Sequence, residues 1–188
     1  MSHQNKENQQ CWILKYNATF KNLVFPKHFY NKIQYFIKDK SIPTNLMIVG
    51  RNGFGKMTIL KCILKECYDV DINQFHPHYQ YNSILTYQSI FLIDFIYFKN
   101  SEFKNISQFI KELATKSFIQ FDDTSIPKIV IFKNTHLISN TNLTFLVSVV
   151  KFRLDNCIFI CLSNTFIQSL SSYFTTIRIP YLKEKEFK

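Results

Sequence analysis

The sequence predicts an α/β fold, a single domain built on a parallel sheet of about five strands flanked by helices. Three observations predict it. The mainly apolar runs Leu46 to Val49, Lys128 to Phe132 and Cys157 to Leu162 read as strands buried on both faces, as parallel strands are. Stretches with apolar residues at helical spacing stand between them. The only three glycines, Gly50, Gly53 and Gly55, fall directly after the first apolar run and before Lys56. That puts a glycine turn at the carboxyl end of a buried strand, where ligands of open α/β sheets bind.

In chain order, residues 1–10 are polar and read as a disordered tail, residues 11–182 as the core, and residues 183–188 as a charged end. Lys27 to Lys38 carries Phe29, Ile33, Phe36 and Ile37 at helical spacing, and Ser41-Ile42-Pro43-Thr44 ends that helix. Met57 to Tyr68 reads as the helix after the glycine turn. Ser83 to Phe98 is aromatic-rich and strand-like throughout, and Asn105 to Phe118 places Ile106, Phe109, Ile110 and Leu113 on one helical face. A helix over Thr141 to Arg153 separates the strands Lys128 to Phe132 and Cys157 to Leu162, and Thr176 to Ile179 is a short last strand.

Composition narrows the function classes. The 188 residues, 46% hydrophobic and 16% aromatic, suit one packed core. No run approaches the roughly 18 apolar residues of a membrane-spanning helix, and His3 to Asn8 are polar where a secretion leader would be apolar. The expectation is an intracellular protein of the nucleus, the cytoplasm or a viral replication site, with no membrane partner. Five cysteines, Cys11, Cys62, Cys67, Cys157 and Cys161, are odd in number and three of them fall in apolar strand or helix patterns, which predicts free thiols. Zinc is not expected without a paired C-x-x-C. The net charge of +10 fits a polyanionic partner. A compositional reading competes with it, because Lys, Asn, Ile, Phe and Tyr abound while arginine is confined to Arg51, Arg153 and Arg178, as A+T-rich coding would produce.

The glycine turn carries the chemistry. A strand ending in glycines can turn its amide N–H groups inward around an anion, and the following helix adds the positive end of its dipole. The spacing Gly50 to Gly55-Lys56 fits the Walker A phosphate loop, in which the lysine reaches the β- and γ-phosphates. The pattern fails only at its last position, where a magnesium-binding hydroxyl is replaced by Met57, with Thr58 next as the candidate magnesium ligand. A bare turn needs glycine for positive φ, but not three glycines and a lysine. Asn52, Gly53, Phe54, Gly55, Lys56, Met57 and Thr58 are therefore the candidate contacts for ATP or ADP, with or without magnesium.

From these motifs the chain resembles the clamp-loader branch of the AAA+ ATPases, in particular the replication factor C small subunits. Trp12-Ile13-Leu14-Lys15-Tyr16 is similar to the family's tryptophan-led opening, and Leu23-Val24-Phe25-Pro26-Lys27-His28 to the segment over the adenine. The resemblance thus adds Lys15, Tyr16 and Val24 to the nucleotide contacts. Gly55-Lys56-Met57-Thr58 resembles the loop of one subunit type regarded as non-hydrolysing. Ile129 to Leu137 takes the Walker B place and Cys161-Leu162-Ser163-Asn164 the sensor 1 place, where Ser163 or Asn164 is the polar contact. The resemblance implies a hetero-oligomer with other clamp-loader-like subunits, a sliding clamp and DNA.

The departures from the family decide what is expected of it. The magnesium aspartate falls at Phe132 and the water-polarising glutamate at Lys133, whose ammonium would instead support bound phosphate. The arginine finger falls on Ser172-Tyr173-Phe174, and the basic pair of the DNA-facing helix on Leu146-Val147. The sequence ends at Lys188, before the family's lid and collar. The reading is a catalytically degenerate subunit with nucleotide as ligand, not fuel, and with no catalytic residues. An active ATPase completed by a partner, and a scaffold binding no nucleotide, are the alternatives. His76-Pro77-His78 reads as a surface loop and not a metal site, Asp122-Asp123 as a solvated turn, and the rings from Tyr79 to Phe98 as core.

Overall fold

Gln88 and Ser89 divide what looks in sequence like one long strand. The structure, a computed structural model, describes residues 20, 23, 25–37, 42, 44–81, 84–97, 103–115, 127–151 and 157–181. Within them Ile84–Tyr87 and Ile90–Asp94 form an antiparallel hairpin in which Tyr87 pairs with Ile90 across the two-residue turn, with Gln88 left-handed at φ 51°. The expectation of a single strand over Ser83 to Phe98 is corrected accordingly. The turn takes the adjacent polar pair Gln88-Ser89, and Ile90–Asp94 is left to be buried along its whole length.

The elements in chain order are α1 (Lys27–Phe36), β1 (Leu46–Val49), α2 (Lys56–Tyr68), β2 (His76–Pro77), β3 (Ile84–Tyr87), β4 (Ile90–Asp94), α3 (Phe103–Thr115), β5 (Lys128–Lys133), α4 (Asn140–Lys151), β6 (Cys157–Ser163) and β7 (Thr175–Arg178). They form one seven-stranded sheet in the order β2-β3-β4-β5-β6-β1-β7, against the expected five or so strands. The pairs from β4 to β7 are parallel, and β2-β3-β4 is antiparallel. The two extra strands are the hairpin arm β3 and the edge strand β2. His76-Pro77 is thus paired to β3 and not a loop, at a sheet edge where proline's missing N–H costs no ladder bond.

Strand alternation sorts the core into two layers. Leu46, Ile48, Ile129, Ile131, Ile160, Leu162 and Ile177 face α1 and α2, meeting Phe29, Ile33, Ile59, Leu60, Ile63 and Leu64. Met47, Val49, Val130, Phe132, Phe159 and Cys161 face the other way, onto Ile106, Phe109 and Ile110 of α3 and Leu146, Val149 and Val150 of α4. Leu146, at the place of a DNA-facing basic residue, is thus core. Among the described residues no helix is long and apolar enough to cross a membrane. Among the described residues Cys67, Cys157 and Cys161 are free thiols. Burial pushes the thiols of Cys62 and Cys67 up to about 11 and that of Cys157 to about 12, so all stay protonated at neutral pH.

Register sets the site. Val49 pairs with Ser163 on one side and Arg178 on the other, Leu162 with Lys133, and Lys133 with Asp94. The carboxyl ends of the five parallel-paired strands therefore lie along one edge of the sheet, and the glycine turn leaves from it at β1, between β6 and β7.

Candidate functional site

The loop between β1 and α2 has the backbone its glycines allow. Gly53 and Gly55 sit at φ 81° and 79°, the left-handed region that strains other residues, and Gly55 is the N-cap of α2. Gly50 is needed for a close approach instead, since a Cβ there would lie 3.1 Å from the Cβ of Ile179. Its N–H donates to the Ser163 carbonyl at 3.1 Å, tying the loop to β6. Among the described residues the N–H groups of Gly53, Gly55, Lys56, Met57 and Thr58 donate to no protein acceptor. These are the groups that a helix start over a glycine loop offers to an anion.

Lys56 folds back into this loop. Its Nζ donates to the carbonyls of Gly50 at 2.6 Å and Arg51 at 2.9 Å and to Asn164 Oδ1 at 2.8 Å, which uses all three ammonium hydrogens. Partial burial lowers its pKa from the usual lysine value. At the end of β6 it is Asn164, not Ser163, that meets Lys56. Ser163 is fully buried and its Oγ donates to the Thr165 carbonyl at 2.6 Å, so it serves its own turn. Lys15, Tyr16 and Val24 lie outside the described residues. Phe25, next to Val24, comes within 4.0 Å of where a Cβ on Gly55 would stand.

Two polar groups at this edge escaped sequence reasoning. His136, in the short 3-10 turn Thr135–Leu137 after β5, meets Asn164 twice: Nε2 lies 2.8 Å from Asn164 Nδ2, and Nδ1 lies 3.3 Å from the Asn164 backbone N–H. A neutral imidazole accepts at one nitrogen only. The Asn164 backbone N–H can only donate, so Nδ1 is that acceptor. The second is Asp94, at the end of β4 and 4% exposed. Its Oδ2 accepts from Lys133 Nζ at 2.6 Å, and its Oδ1 from Asn134 Nδ2 at 2.6 Å and the Ile96 N–H at 3.1 Å. Lys133 is therefore neutralised by Asp94, which corrects the expectation that its charge supports phosphate.

Magnesium does not fit the residues present. Met57, at the hydroxyl's place, packs its side chain on the core layer under α2. Thr58 comes about 100° further round the helix, by the 3.6-residue repeat. Phe132 is fully buried and Asp94 is engaged with Lys133. Among the described residues no group of three or more His, Cys, Asp or Glu could hold a metal ion, His76 and His78 included. The arginine-finger place holds an exposed Ser172, a half-buried Tyr173 and a buried Phe174.

Two histidines make stability pH-dependent. His136 has its pKa lowered by burial and then by the Lys56 charge, and His78, among the rings of Tyr79, Tyr81, Phe91 and Phe109, by burial and then by His76. Each folded-state value lies below the unfolded value of about 6.5. The stabilisation is thus complete above about pH 6.5 and is lost as pH falls through the folded-state values, where the unfolded chain binds more protons. Melting temperature is expected to fall from about pH 7 to pH 5.5, and a His78→Phe/His136→Gln variant to flatten that fall.

Set beside known proteins, the chain matches no described protein family and no curated protein. Among solved structures it is similar to C. elegans PCH-2, with a TM-score of 0.52 and 13% identity over 90% of this chain and 46% of that one. It is also similar to the Thermotoga maritima RuvB Holliday junction branch migration motor, with a TM-score of 0.53 and 14% identity over 92% of this chain and 51% of that one. Both are AAA+ ATPases, and the likeness is one of fold: a mixed α/β, mostly parallel seven-stranded sheet. The chain spans about half the length of either.

Proposed function

We propose that the chain binds ATP or ADP at the loop from Asn52 to Thr58 without hydrolysing it, as a structural subunit of a hetero-oligomeric, clamp-loader-like assembly of DNA replication. The observation that carries the nucleotide reading is the loop itself. Gly53 and Gly55 are left-handed, the N–H groups from Gly55 to Thr58 are free of protein acceptors, and Lys56 stands at their centre on replaceable backbone carbonyls. Nucleotide and oligomer are what AAA+ folds are generally built for. Asn164 extends the site toward the terminal phosphate, and Phe25 stands on the side expected of the base.

The non-hydrolysing part rests on chemistry at the end of β5. Phosphoryl transfer to water needs a metal carboxylate and a group that orients the water. Phe132 offers a buried ring, and Lys133 a cation already paired with Asp94. The clamp-loader part rests on the order of the resembling segments from Trp12 to Pro180 and on the net charge of +10, which suits DNA.

The test is equilibrium binding of ATP and ADP to the chain and to Lys56→Ala, with phosphate release followed in the same samples. Loss of about two charge-assisted hydrogen bonds is expected to weaken binding roughly a hundredfold, with the melting temperature of the free protein little changed. Release above the Lys56→Ala background would restore an active ATPase, and equal binding by both proteins would remove the loop from the site. Co-elution with the clamp-loader subunits of its own source tests the assembly, and unchanged elution overturns it.

A further inference from the structure

We propose that His136 is a positioning residue that aims the side-chain amide of Asn164 at a bound phosphate. When a phosphate takes the Lys56 hydrogen that Asn164 now accepts, the amide turns over, its oxygen accepts from Nε2–H of His136, and its nitrogen faces the phosphate. The inference rests on the nucleotide reading above and goes beyond it to what orients a contact of the same site. The free protein is short of one acceptor here. Nδ1 of His136 accepts from the Asn164 backbone N–H at 3.3 Å, so the neutral ring carries its hydrogen on Nε2. Nε2 lies 2.8 Å from the Asn164 amide nitrogen, and Lys56 Nζ lies 2.8 Å from the oxygen of the same amide. Two donors therefore flank a side chain that has one oxygen.

The ammonium holds that oxygen in the free protein, because a charged donor makes the stronger bond. Nε2–H of His136 then faces the amide nitrogen, itself a donor, and the half-buried imidazole is left with an unmatched hydrogen. Turning the amide over on its own only moves the mismatch, since its nitrogen would then face the ammonium. An anion removes it. Lys56 has no hydrogen to spare, so a phosphate oxygen that takes one must release the Gly50 carbonyl, the Arg51 carbonyl or Asn164. Neither carbonyl has a waiting donor among the contacts of this site. Asn164 has one in Nε2–H, so it is the acceptor that leaves with least loss. After the turn Lys56 keeps both carbonyls and gains the phosphate, Nε2–H has the Asn164 oxygen, and the amide nitrogen is free to donate to the phosphate. The backbone N–H of Asn164 stays on Nδ1 throughout, and no proton is taken up or released.

The experiment measures the affinity of the full chain for ATP and for pyrophosphate in four variants: His136→Phe, which has neither ring nitrogen, His136→Gln, which keeps one acceptor and one donor, Asn164→Ala, and Asn164→Ala/His136→Phe. His136→Phe is expected to weaken binding of both ligands about tenfold, as the loss of one oriented hydrogen bond allows. His136→Gln should bind within about threefold of the unaltered chain. In the Asn164→Ala background His136→Phe should change affinity less than about twofold, because the amide through which it acts is gone. A histidine that only supports the fold would cost the same in both backgrounds. The free protein supplies a measurement that needs no folded His136→Phe: Asn164→Asp offers an oxygen to Lys56 and another to Nε2–H, and should melt higher than the parent. Full affinity in His136→Phe, an equal loss in both backgrounds, a tenfold loss in His136→Gln, or an Asn164→Asp chain that melts no higher each overturns this inference and leaves the nucleotide reading standing. Absence of binding by the unaltered chain overturns both.

Discussion

Phe132→Asp, which puts a carboxylate at the end of β5, is expected to unfold the protein and not to create a magnesium site. Phe132 is fully buried on the α3–α4 side of the sheet. Its ring stacks on Phe159 at 5.8 Å and 6° between planes, and on Phe95 at 5.8 Å and 27°. Removing a buried phenyl costs about 3–5 kcal/mol, and an unpartnered carboxyl in the same space costs roughly several more, or must stay protonated. Against a total stability of about 5–15 kcal/mol the sum leaves little or no folded population. Phe132→Leu, which keeps the site apolar, should cost about 1–2 kcal/mol and stay folded. Denaturant melts of the two variants decide it. A Phe132→Asp protein that melts like the parent would mean that the strand end opens freely to solvent, and with it the main reason for reading the site as non-hydrolysing would fall.

The fold was legible where the signal is local. Leu46 to Val49, Ile129 to Phe132 and Phe159 to Leu162 are apolar without a break, because strands between two helix layers are buried on both faces. The glycine turn and Lys56 were legible because positive φ and an ammonium are demands on residue type. Strand number was not, because only Gln88 and Ser89 mark the hairpin and a two-residue turn hides in an aromatic run. Which of Ser163 and Asn164 meets Lys56 turned on a one-residue shift at a strand end; the Ser163 hydroxyl is buried on the Thr165 carbonyl, and Asn164 is the one that reaches Lys56. His136 and Asp94 were illegible for a different reason. What makes each of them part of the site is a neighbour far along the chain, Asn164 for one and Lys133 for the other, and only the sheet register brings these together. The one available signal was a polar residue at or just beyond the end of an apolar strand: Asp94 closes β4, and His136 follows β5 by three residues.

Lys133→Glu, the companion restoration of the water-polarising carboxylate, is expected to cost about 3 kcal/mol and to give no phosphate release. Strand alternation puts Lys133 with Ile129 and Ile131 on the α2 side, and Asp94 with Ile90 and Leu92 on the same side. The two residues are register partners, so a glutamate here meets the Asp94 carboxylate in place of the ammonium now 2.6 Å away. The Asp94 side chain is 5% exposed and cannot turn to water, whereas that of Lys133, at 37%, can, which keeps the cost near the low end of the range for breaking a buried pair. Lys133→Glu/Asp94→Asn exchanges the repulsion for an amide donor and should recover more than half of the loss, a coupling that a double-mutant cycle in thermal melts measures directly. A single Lys133→Glu variant as stable as the parent, or one that releases phosphate, would show that Asp94 does not hold the position. If the coupling is found, hydrolysis is blocked by a pair, and no one-residue reversion at the end of β5 restores it.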